Sequence, residues 1–356
     1  AYGPDKLALI FDNWHKGRNF NDVVEITLGD DLAELSRKWV YSVKKRYYPN
    51  LDDRGFPDME SEQLTHDGFC VRGVPITFDD GDGPEDWIVF KANSLGYTGI
   101  YMKRADGSNH DWKTLVKGER DANFESLYLI RSGIDATNSG LIAFASRAKD
   151  RDVVYLYDLN LGRITHRFDS DSLVTIQSPR LSPDSRQVVF TGMTKAGYAD
   201  LYLLDISTGD LARLNDDVYY DVDPCFTLDG RGIVFSSDRG PEGMTGATNL
   251  FELDLQTRQI TQLTFGDHLD SSPDVTEHGT YFTSDRDGSF NIYLLDANGE
   301  LTRQSTYVTG AFDPRLSADG SRLIYTGFQK MRYHIYQMKL PEQPEPVDQQ
   351  PKLLAT

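Results

Sequence analysis

Apolar residues along most of this chain come in short runs separated by turn-forming residues, and the runs recur in one order. Four segments carry the clearest phase. They are Ser178-Pro179-Arg180-Leu181-Ser182-Pro183-Asp184, Asp223-Pro224-Cys225-Phe226-Thr227-Leu228-Asp229-Gly230, Ser272-Pro273-Asp274-Val275 and Asp313-Pro314-Arg315-Leu316-Ser317-Ala318-Asp319-Gly320. An apolar strand follows each, at Val188-Val189-Phe190, Ile233-Val234-Phe235, Tyr281-Phe282 and Leu323-Ile324-Tyr325. A third run comes next, Asp200-Leu201-Tyr202-Leu203-Leu204-Asp205 in the first unit, with counterparts at 249–254, 291–296 and His334-Ile335-Tyr336. A fourth closes most units, as in Gln259-Ile260-Thr261-Gln262-Leu263-Thr264.

The prolines Pro179, Pro224, Pro273 and Pro314 recur at intervals of 45, 49 and 41 residues. A period of about 40–50 residues with four strands per unit is that of propeller blades. Two weaker copies precede these. One runs from Val74-Pro75-Ile76 through Trp87-Ile88-Val89-Phe90 to Gly99-Ile100-Tyr101-Met102. The other runs from Leu127-Tyr128-Leu129-Ile130 through Leu141-Ile142-Ala143-Phe144 to Val154-Tyr155-Leu156-Tyr157-Asp158. Pro75 and Pro179 lie 104 residues apart, two periods, with the second blade lacking its proline. The pattern predicts an all-β fold: a six-bladed β-propeller of four-stranded blades over 51–340. Glu62-Gln63-Leu64-Thr65 has the fourth-strand pattern but stands before blade one. Residues 60–65 are therefore predicted to supply the outer strand of blade six, which closes the ring and removes an exposed sheet edge.

Within each blade, Asp-Gly or Asp-Ser after the proline makes the turn between first and second strands. The Phe/Tyr column packs blade on blade. In Ser237-Asp238-Arg239 and Ser284-Asp285-Arg286 the acid is expected to hold local amides and the arginine to pair with a neighbouring blade.

Residues 1–50 read differently. Leu7, Ile10, Phe11 and Trp14 follow the i, i+3, i+4, i+7 spacing of a helix that Pro4 can begin. Phe20, Val23, Val24 and Leu28 make a second amphipathic run, stopped by Gly29. Asp30 or Asp31 caps a third helix with Leu32, Leu35, Trp39, Val40 and Val43 on one face. It ends in Lys44-Lys45-Arg46, where the helix dipole favours positive charge, and at Pro49. Three such helices bury little alone. The segment 341–356 is a Pro-rich extended tail with the composition of a mobile stretch.

Composition narrows the function classes. The chain has 356 residues, 37 basic and 55 acidic, for a net charge of −18. Such a surface repels phosphate backbones and anionic lipid and attracts basic proteins or cations. Mean hydropathy is −0.49, and no apolar run approaches the length of a membrane-spanning helix. Cys70 and Cys225 fall in blades one and four, across the ring, too far apart for a disulfide. The opening Ala1-Tyr2-Gly3-Pro4 carries neither a start Met nor a leader pattern, which suggests a removed leader or a piece of a longer polypeptide.

The phrases Ser-Pro-Asp, Phe-Ser-Ser-Asp-Arg-Gly and Asn-Ile-Tyr-Leu-Leu-Asp resemble the repeat shared by TolB-type propellers of the bacterial envelope and, more distantly, the propellers of prolyl-oligopeptidase-like enzymes. The resemblance covers roughly 60–340 and implies a fold; a periplasmic or envelope location follows from it alone. The head, with Tyr2-Gly3-Pro4-Asp5-Lys6-Leu7, Phe20-Asn21-Asp22-Val23, Leu32-Ala33-Glu34-Leu35 and Trp39, is similar to the closing helices of gluzincin-like peptidase domains. That resemblance implies a peptidase core upstream.

Within the chain, catalytic signatures are missing. No pair of histidines has the His-Glu-x-x-His spacing of a zinc peptidase, no Gly-x-Ser-x-Gly elbow occurs, and the Gly-rich stretch 240–246 lacks the lysine of a phosphate loop. No cofactor is predicted except a hard cation. Asp221, Asp223, Asp270 and Asp313 all lie just before a blade's first strand; first strands line a propeller's channel, and convergence of these carboxylates at one mouth would suit Ca²⁺. The alternative is that they cap strand-entry amides. The loops Asp79-Asp80-Gly81-Asp82 and Asp216-Asp217 lack the spacing of an EF-hand and read as surface turns. The leading expectation is thus a non-catalytic interaction or scaffold module, a peripheral subunit that docks a protein or peptide at a propeller face. Behind it stand the C-terminal accessory domain of a longer metallopeptidase and a calcium-dependent propeller hydrolase.

Overall fold

The computed structural model of the chain describes residues 3–48, 54–81, 83–94, 96–106, 112–118, 124–241 and 243–348. Ala1, Tyr2, Pro49, Asp82 and the tail beyond 348 lie outside them. The chain divides into two compact units, Ala1–Arg54 and Gly55–Thr356.

The first unit contains α1 (Asp5–Asp12), α2 (Phe20–Leu28) and α3 (Leu32–Tyr47). Asn19 caps α2 by accepting from the Asp22 amide, and Gly29 ends it at φ 79°, a left-handed conformation that glycine adopts without a Cβ clash. Asp31, not Asp30, caps α3 by accepting from the Glu34 amide, while Asp30 pairs with Lys38. Of the three helices only α2 buries residues, namely Val23, Val24 and Thr27. Leu7, Phe11, Trp14 and Trp39 remain exposed.

The second unit begins with α4 (Pro57–Glu60) and β1 (Glu62–Gln63). Blade one is β2 (Phe69–Asp79), β3 (Pro84–Ser94), β4 (Tyr97–Arg104) and β5 (Lys113–Lys117). Blade two is β6 (Ile134–Ala136), β7 (Leu141–Ala148), β8 (Arg151–Asp158) and β9 (Arg163–Phe168). Blade three is β10 (Leu173–Leu181), β11 (Gln187–Thr194), β12 (Ala199–Asp205) and β13 (Leu211–Arg213). Blade four is β14 (Asp221–Phe226), β15 (Gly232–Ser237), β16 (Asn249–Asp254) and β17 (Ile260–Gln262). Blade five is β18 (Ser271–Thr276), β19 (Gly279–Ser284), β20 (Asn291–Leu295) and β21 (Leu301–Arg303). Blade six is β22 (Ala311–Leu316), β23 (Arg322–Gln329) and β24 (Arg332–Lys339), completed by β1.

This closure is the one the pattern predicts. Glu62 pairs with Gln337 and Gln63 with Tyr336. The Leu64 amide donates to the Ile335 carbonyl at 2.8 Å, and the Ile335 amide donates to Thr65 Oγ1 at 2.9 Å. Tyr325 and Tyr307 converge on Ser61 Oγ at 2.7 and 2.8 Å. First and last segments of the ring thus share one sheet.

Every blade repeats one packing element. An aromatic residue on the second strand sits directly opposite one on the third: Phe90–Tyr101, Phe144–Tyr155, Phe190–Tyr202, Phe235–Phe251, Phe282–Tyr293 and Tyr325–Tyr336. Their ring centroids lie 5.4–6.1 Å apart, within the range where aromatic pairs attract beyond their buried area. The flanking Val, Ile and Leu side chains fill the space between blades.

Inner strands carry a second repeat that the spacing alone conceals. Each of β2, β10, β14, β18 and β22 has a bulge, at 72–73, 178–179, 223–224, 272–273 and 313–314. The prolines occupy the second bulge position, where an interrupted ladder needs no amide. Arg72, Ser178, Asp223, Ser272 and Asp313 occupy the first, with φ between 50° and 59°. In blade one the residue equivalent to Pro179 is Gly73; Pro75 instead pairs with Ile88 within the ladder. Blade two departs further. Leu127-Tyr128-Leu129-Ile130 is loop, and the inner strand is β6, because the buried Leu127 plugs the core while its carbonyl accepts from Lys91. The tail also differs from a mobile stretch. β25 (Glu345–Val347) adds a fifth strand to blade five, with Val347 opposite Leu301 and Glu345 paired with Arg303. Cys70 and Cys225 are both free and buried.

Thr65→Val keeps the shape of a buried side chain but leaves the Ile335 amide without its acceptor. A loss of about 1–3 kcal/mol is expected in urea unfolding, the cost of one buried unsatisfied donor at the closure seam.

Candidate functional site

The bulges decide what the channel contains. Each turns a side chain inward at its first position, and the residue two further on projects inward beneath it, so the channel is lined in two tiers.

The deeper tier is a closed set of charges. Arg180 lies 2.9 Å from Asp274 and 3.9 Å from Asp135; Arg315 lies 2.9 Å from Asp274 and 3.6 Å from Asp135. Backbone amides of Leu181 and Leu316 donate to the remaining carboxylate oxygens at 2.8 and 3.2 Å. Arg180 also donates to Cys225 Sγ at 3.0 Å. Two acids and two arginines alternate across the axis, so their charges cancel. Burial pushes the Asp135 and Asp274 carboxyls above the usual range, against the pull of Arg180 and the backbone amides. Burial likewise pushes the Cys225 thiol up, which makes it a packing residue rather than a nucleophile. Free space in the channel comes to about 400 Å³, of which about 30 Å³ can hold the centre of a water molecule. That admits a water and excludes an organic substrate.

The upper tier is a chain of hydrogen bonds around the mouth. Ser178 Oγ donates to Asp223 at 2.6 Å. Ser272 Oγ lies 3.3 Å from Asp223 and 3.0 Å from Asp313, and Arg72 pairs with Asp313 at 2.7 Å. Above this ring opens a pocket of about 250 Å³ walled by Ile130, Phe290, Phe312 and Tyr333, with Arg72, Asp223 and Asp313 at its base. Phe312 packs between Phe290, tilted, and Tyr333, edge-on, at centroid distances of 5.2 and 5.9 Å, and Phe69 and Phe328 buttress Tyr333 at 4.9 and 4.8 Å. Gly310, at φ 110°, allows this arrangement: a Cβ there would stand 2.8 Å from the Phe312 ring.

The four acids expected to converge are divided by the fold. Asp223 and Asp313 do reach the mouth. Asp221 and Asp270 lie fully buried inside blades four and five. Asp221 is paired with Arg239 and accepts from Asn215 at 2.5 Å; Asp270 receives Arg286 on both oxygens at 2.8 and 2.9 Å. Those arginines therefore pair within their own blade, not with a neighbour, and each lies over its blade's aromatic pair, with Arg286 5.0 Å from the Tyr293 ring. Asp238 and Asp285 hold the Tyr220 and Leu269 amides as expected. Asp79 accepts from the Gly81 and Gly83 amides, as in a turn. Among the described residues no group of three or more His, Cys, Asp or Glu is placed to hold a metal ion.

Five functional positions were not singled out from the pattern: Arg72, Asp135, Arg180, Asp274 and Arg315. The signal for three of them is the residue after the bulge proline, Arg in blades three and six and Asp in blade five. A sixth, Lys91, replaces the hydroxyl residues that its equivalents Thr191, Ser236, Thr283 and Thr326 supply. Its buried ammonium donates to the carbonyls of Leu127 and Ser132 at 2.6 and 2.8 Å, bracing the loop that carries Ile130.

These tiers and blades define a six-bladed β-propeller with a plugged channel and an open, aromatic mouth. Its fold is TolB-like. Over 154 residues, 42% of the chain, it is 27% identical to the Tol-Pal system protein TolB of Francisella tularensis subsp. mediasiatica, and the match spans 34% of that protein. The protein of the same name from subsp. holarctica matches to the same extent. Among solved structures, TolB from Acinetobacter baumannii aligns with a TM-score of 0.51 at 19% identity, covering 78% of this chain and 65% of that one. A putative TolB from Agrobacterium tumefaciens aligns at 0.53 and 15% identity, covering 66% and 83%. Puromycin hydrolase shares the fold at 0.51 and 16%, covering 80% and 55%. No family model matches the chain.

Two outcomes follow from the buried charges. Asp274→Asn leaves Arg180 and Arg315 with one acid between them, and urea unfolding is expected to show a loss of about 3–5 kcal/mol. Burial, with repulsion from Arg72, pulls the Lys91 ammonium well below its usual value. The native state then holds fewer protons there than the unfolded state, so this group makes stability rise with pH up to the ordinary lysine range. Lys91→Met is expected to flatten that rise on the alkaline side, as pH approaches the ordinary lysine range from below, measured as unfolding free energy against pH.

Proposed function

We propose that the chain is a protein-interaction propeller that docks a protein or peptide partner over the aromatic mouth pocket, within an assembly of the bacterial cell envelope. The observation that carries this reading is the combination of a sealed channel with an open apolar pocket directly above it. A channel filled by paired charges offers no room for turnover of a small substrate. A concave pocket with aromatic walls and a few polar groups at its base has the character of a binding site, and half-buried aromatic side chains such as Phe290, Phe312 and Tyr333 can anchor a protein interface. The envelope location rests on the resemblance to TolB, a Tol-Pal component in the relatives named above.

A second reading is favoured by the helical unit. With Leu7, Phe11, Trp14 and Trp39 uncovered, its apolar surface is suited to packing against another body. A role as the accessory domain of a longer metallopeptidase fits that surface, and a His-Glu-x-x-His encoded upstream is the feature that tests it.

Docking at the mouth is tested by photo-crosslinking in cells. Ile130 at the pocket and Leu228 at the opposite face are equally exposed, at 58% and 56%. A crosslinking amino acid at Ile130 is expected to give a discrete adduct that disappears when Phe312 and Tyr333 are changed to Ala. Adducts only from Leu228, or none from either site, would overturn the proposal.

A further inference from the structure

The base of the mouth pocket has a defined charge, and that charge selects what the partner must bring. Arg72 is matched by Asp313 at 2.7 Å. Asp223 is different. Its oxygens accept from Ser178 Oγ and share the single proton of Ser272 Oγ with Asp313, and although Arg72 is near enough to attract it, among the described residues no lysine or arginine nitrogen bonds it. With Arg72, Asp223 and Asp313 together, the base carries a net charge of −1 beneath the aromatic and apolar walls.

We infer that the pocket receives a basic side chain of the docked partner, its alkyl stem against Phe290, Phe312 and Tyr333 and its ammonium or guanidinium on Asp223. This inference rests on the docking reading and specifies its chemistry.

Three further observations point the same way. The whole net charge of −18 lies on residues 55–356, because residues 1–54 contain nine basic and nine acidic residues; a basic partner is steered to such a surface. Aromatic faces attract cations through their quadrupole, and a carboxylate behind them completes a site for a desolvated cation. The charge-neutral tier below blocks deeper entry, so a side chain of lysine or arginine length stops at Asp223. An anionic or purely aliphatic group would cover that carboxylate without supplying a cation, a cost that discriminates against it.

The probes are Nα-acetyl-lysine methylamide and its uncharged counterpart Nα-acetyl-norleucine methylamide, titrated into the full chain at low salt and followed by NMR on the aromatic resonances of the pocket. The lysine probe is expected to bind about tenfold more tightly than the norleucine probe, the worth of one charge-assisted contact. Asp223→Asn is expected to abolish that difference. Asparagine tolerates the left-handed backbone at φ 50°, so the bulge persists. Phe312→Ala is expected to weaken both probes. Equal affinity for the two probes, no saturable binding of the lysine probe, or an undiminished preference in Asp223→Asn would overturn the inference. The Ile130 crosslink separates the two readings. An adduct that persists in Asp223→Asn leaves docking intact and removes the basic side chain, whereas no adduct in the unmodified protein removes docking itself.

Discussion

Everything in the propeller depends on pairing β1 with β24. A blade's inner and outer neighbours are fixed by the ring, and the ring exists only if residues from opposite ends of the unit share a sheet. Antiparallel pairing at Glu62 and Gln63 is short, so the seam draws on other groups: Thr65 on the Ile335 amide, Ser61 beneath two tyrosine hydroxyls, and the Leu64 carbonyl receiving buried Lys103 at 2.5 Å. Closed, the ring has no exposed inner edge, and six inner strands face one axis. The two tiers of channel residues are then positioned by symmetry rather than by any local contact.

Two kinds of polar cluster result, and they divide labour. Inside blades four and five, Asp221–Arg239 and Asp270–Arg286 are covered by the aromatic pairs and hold strand to loop. In the channel, Asp135, Arg180, Asp274 and Arg315 are satisfied by one another across the axis, which makes the centre a rigid plug. Only at the mouth does a carboxylate face open space, beside aromatic walls. Rigidity below and an unfilled pocket above are the conditions for a preorganised docking site.

Much of this was legible in the residues. The recurrence of proline, of the apolar second strand and of Leu-Tyr-Leu-Leu-Asp identified blades, and the displaced strand at Glu62-Gln63-Leu64-Thr65 identified closure. What misled was register. Pro75 resembles the repeat proline but stands two positions past Gly73, the residue that holds the proline's place in the bulge, and an offset of two within a period of 40–50 does not show in the spacing. Leu127-Tyr128-Leu129-Ile130 looks like a strand since an apolar run in a loop and one in a sheet are indistinguishable by composition. Asp221 and Asp223 differ by only two positions, yet the bulge that begins at Asp223 turns it to the axis while Asp221 stays within the blade.

Local pattern thus determined the type, number and order of the elements, since periodicity of two and turn chemistry are properties of neighbours along the chain. Which side chains meet across the axis was decided by the tertiary structure alone. Arg180 and Asp274 lie in different blades, 94 residues apart, and nothing in either strand specifies the other. Their pairing, the open carboxylate of Asp223 and the aromatic pocket over it arise from the geometry of a closed ring, where positions equivalent in every blade become neighbours in space.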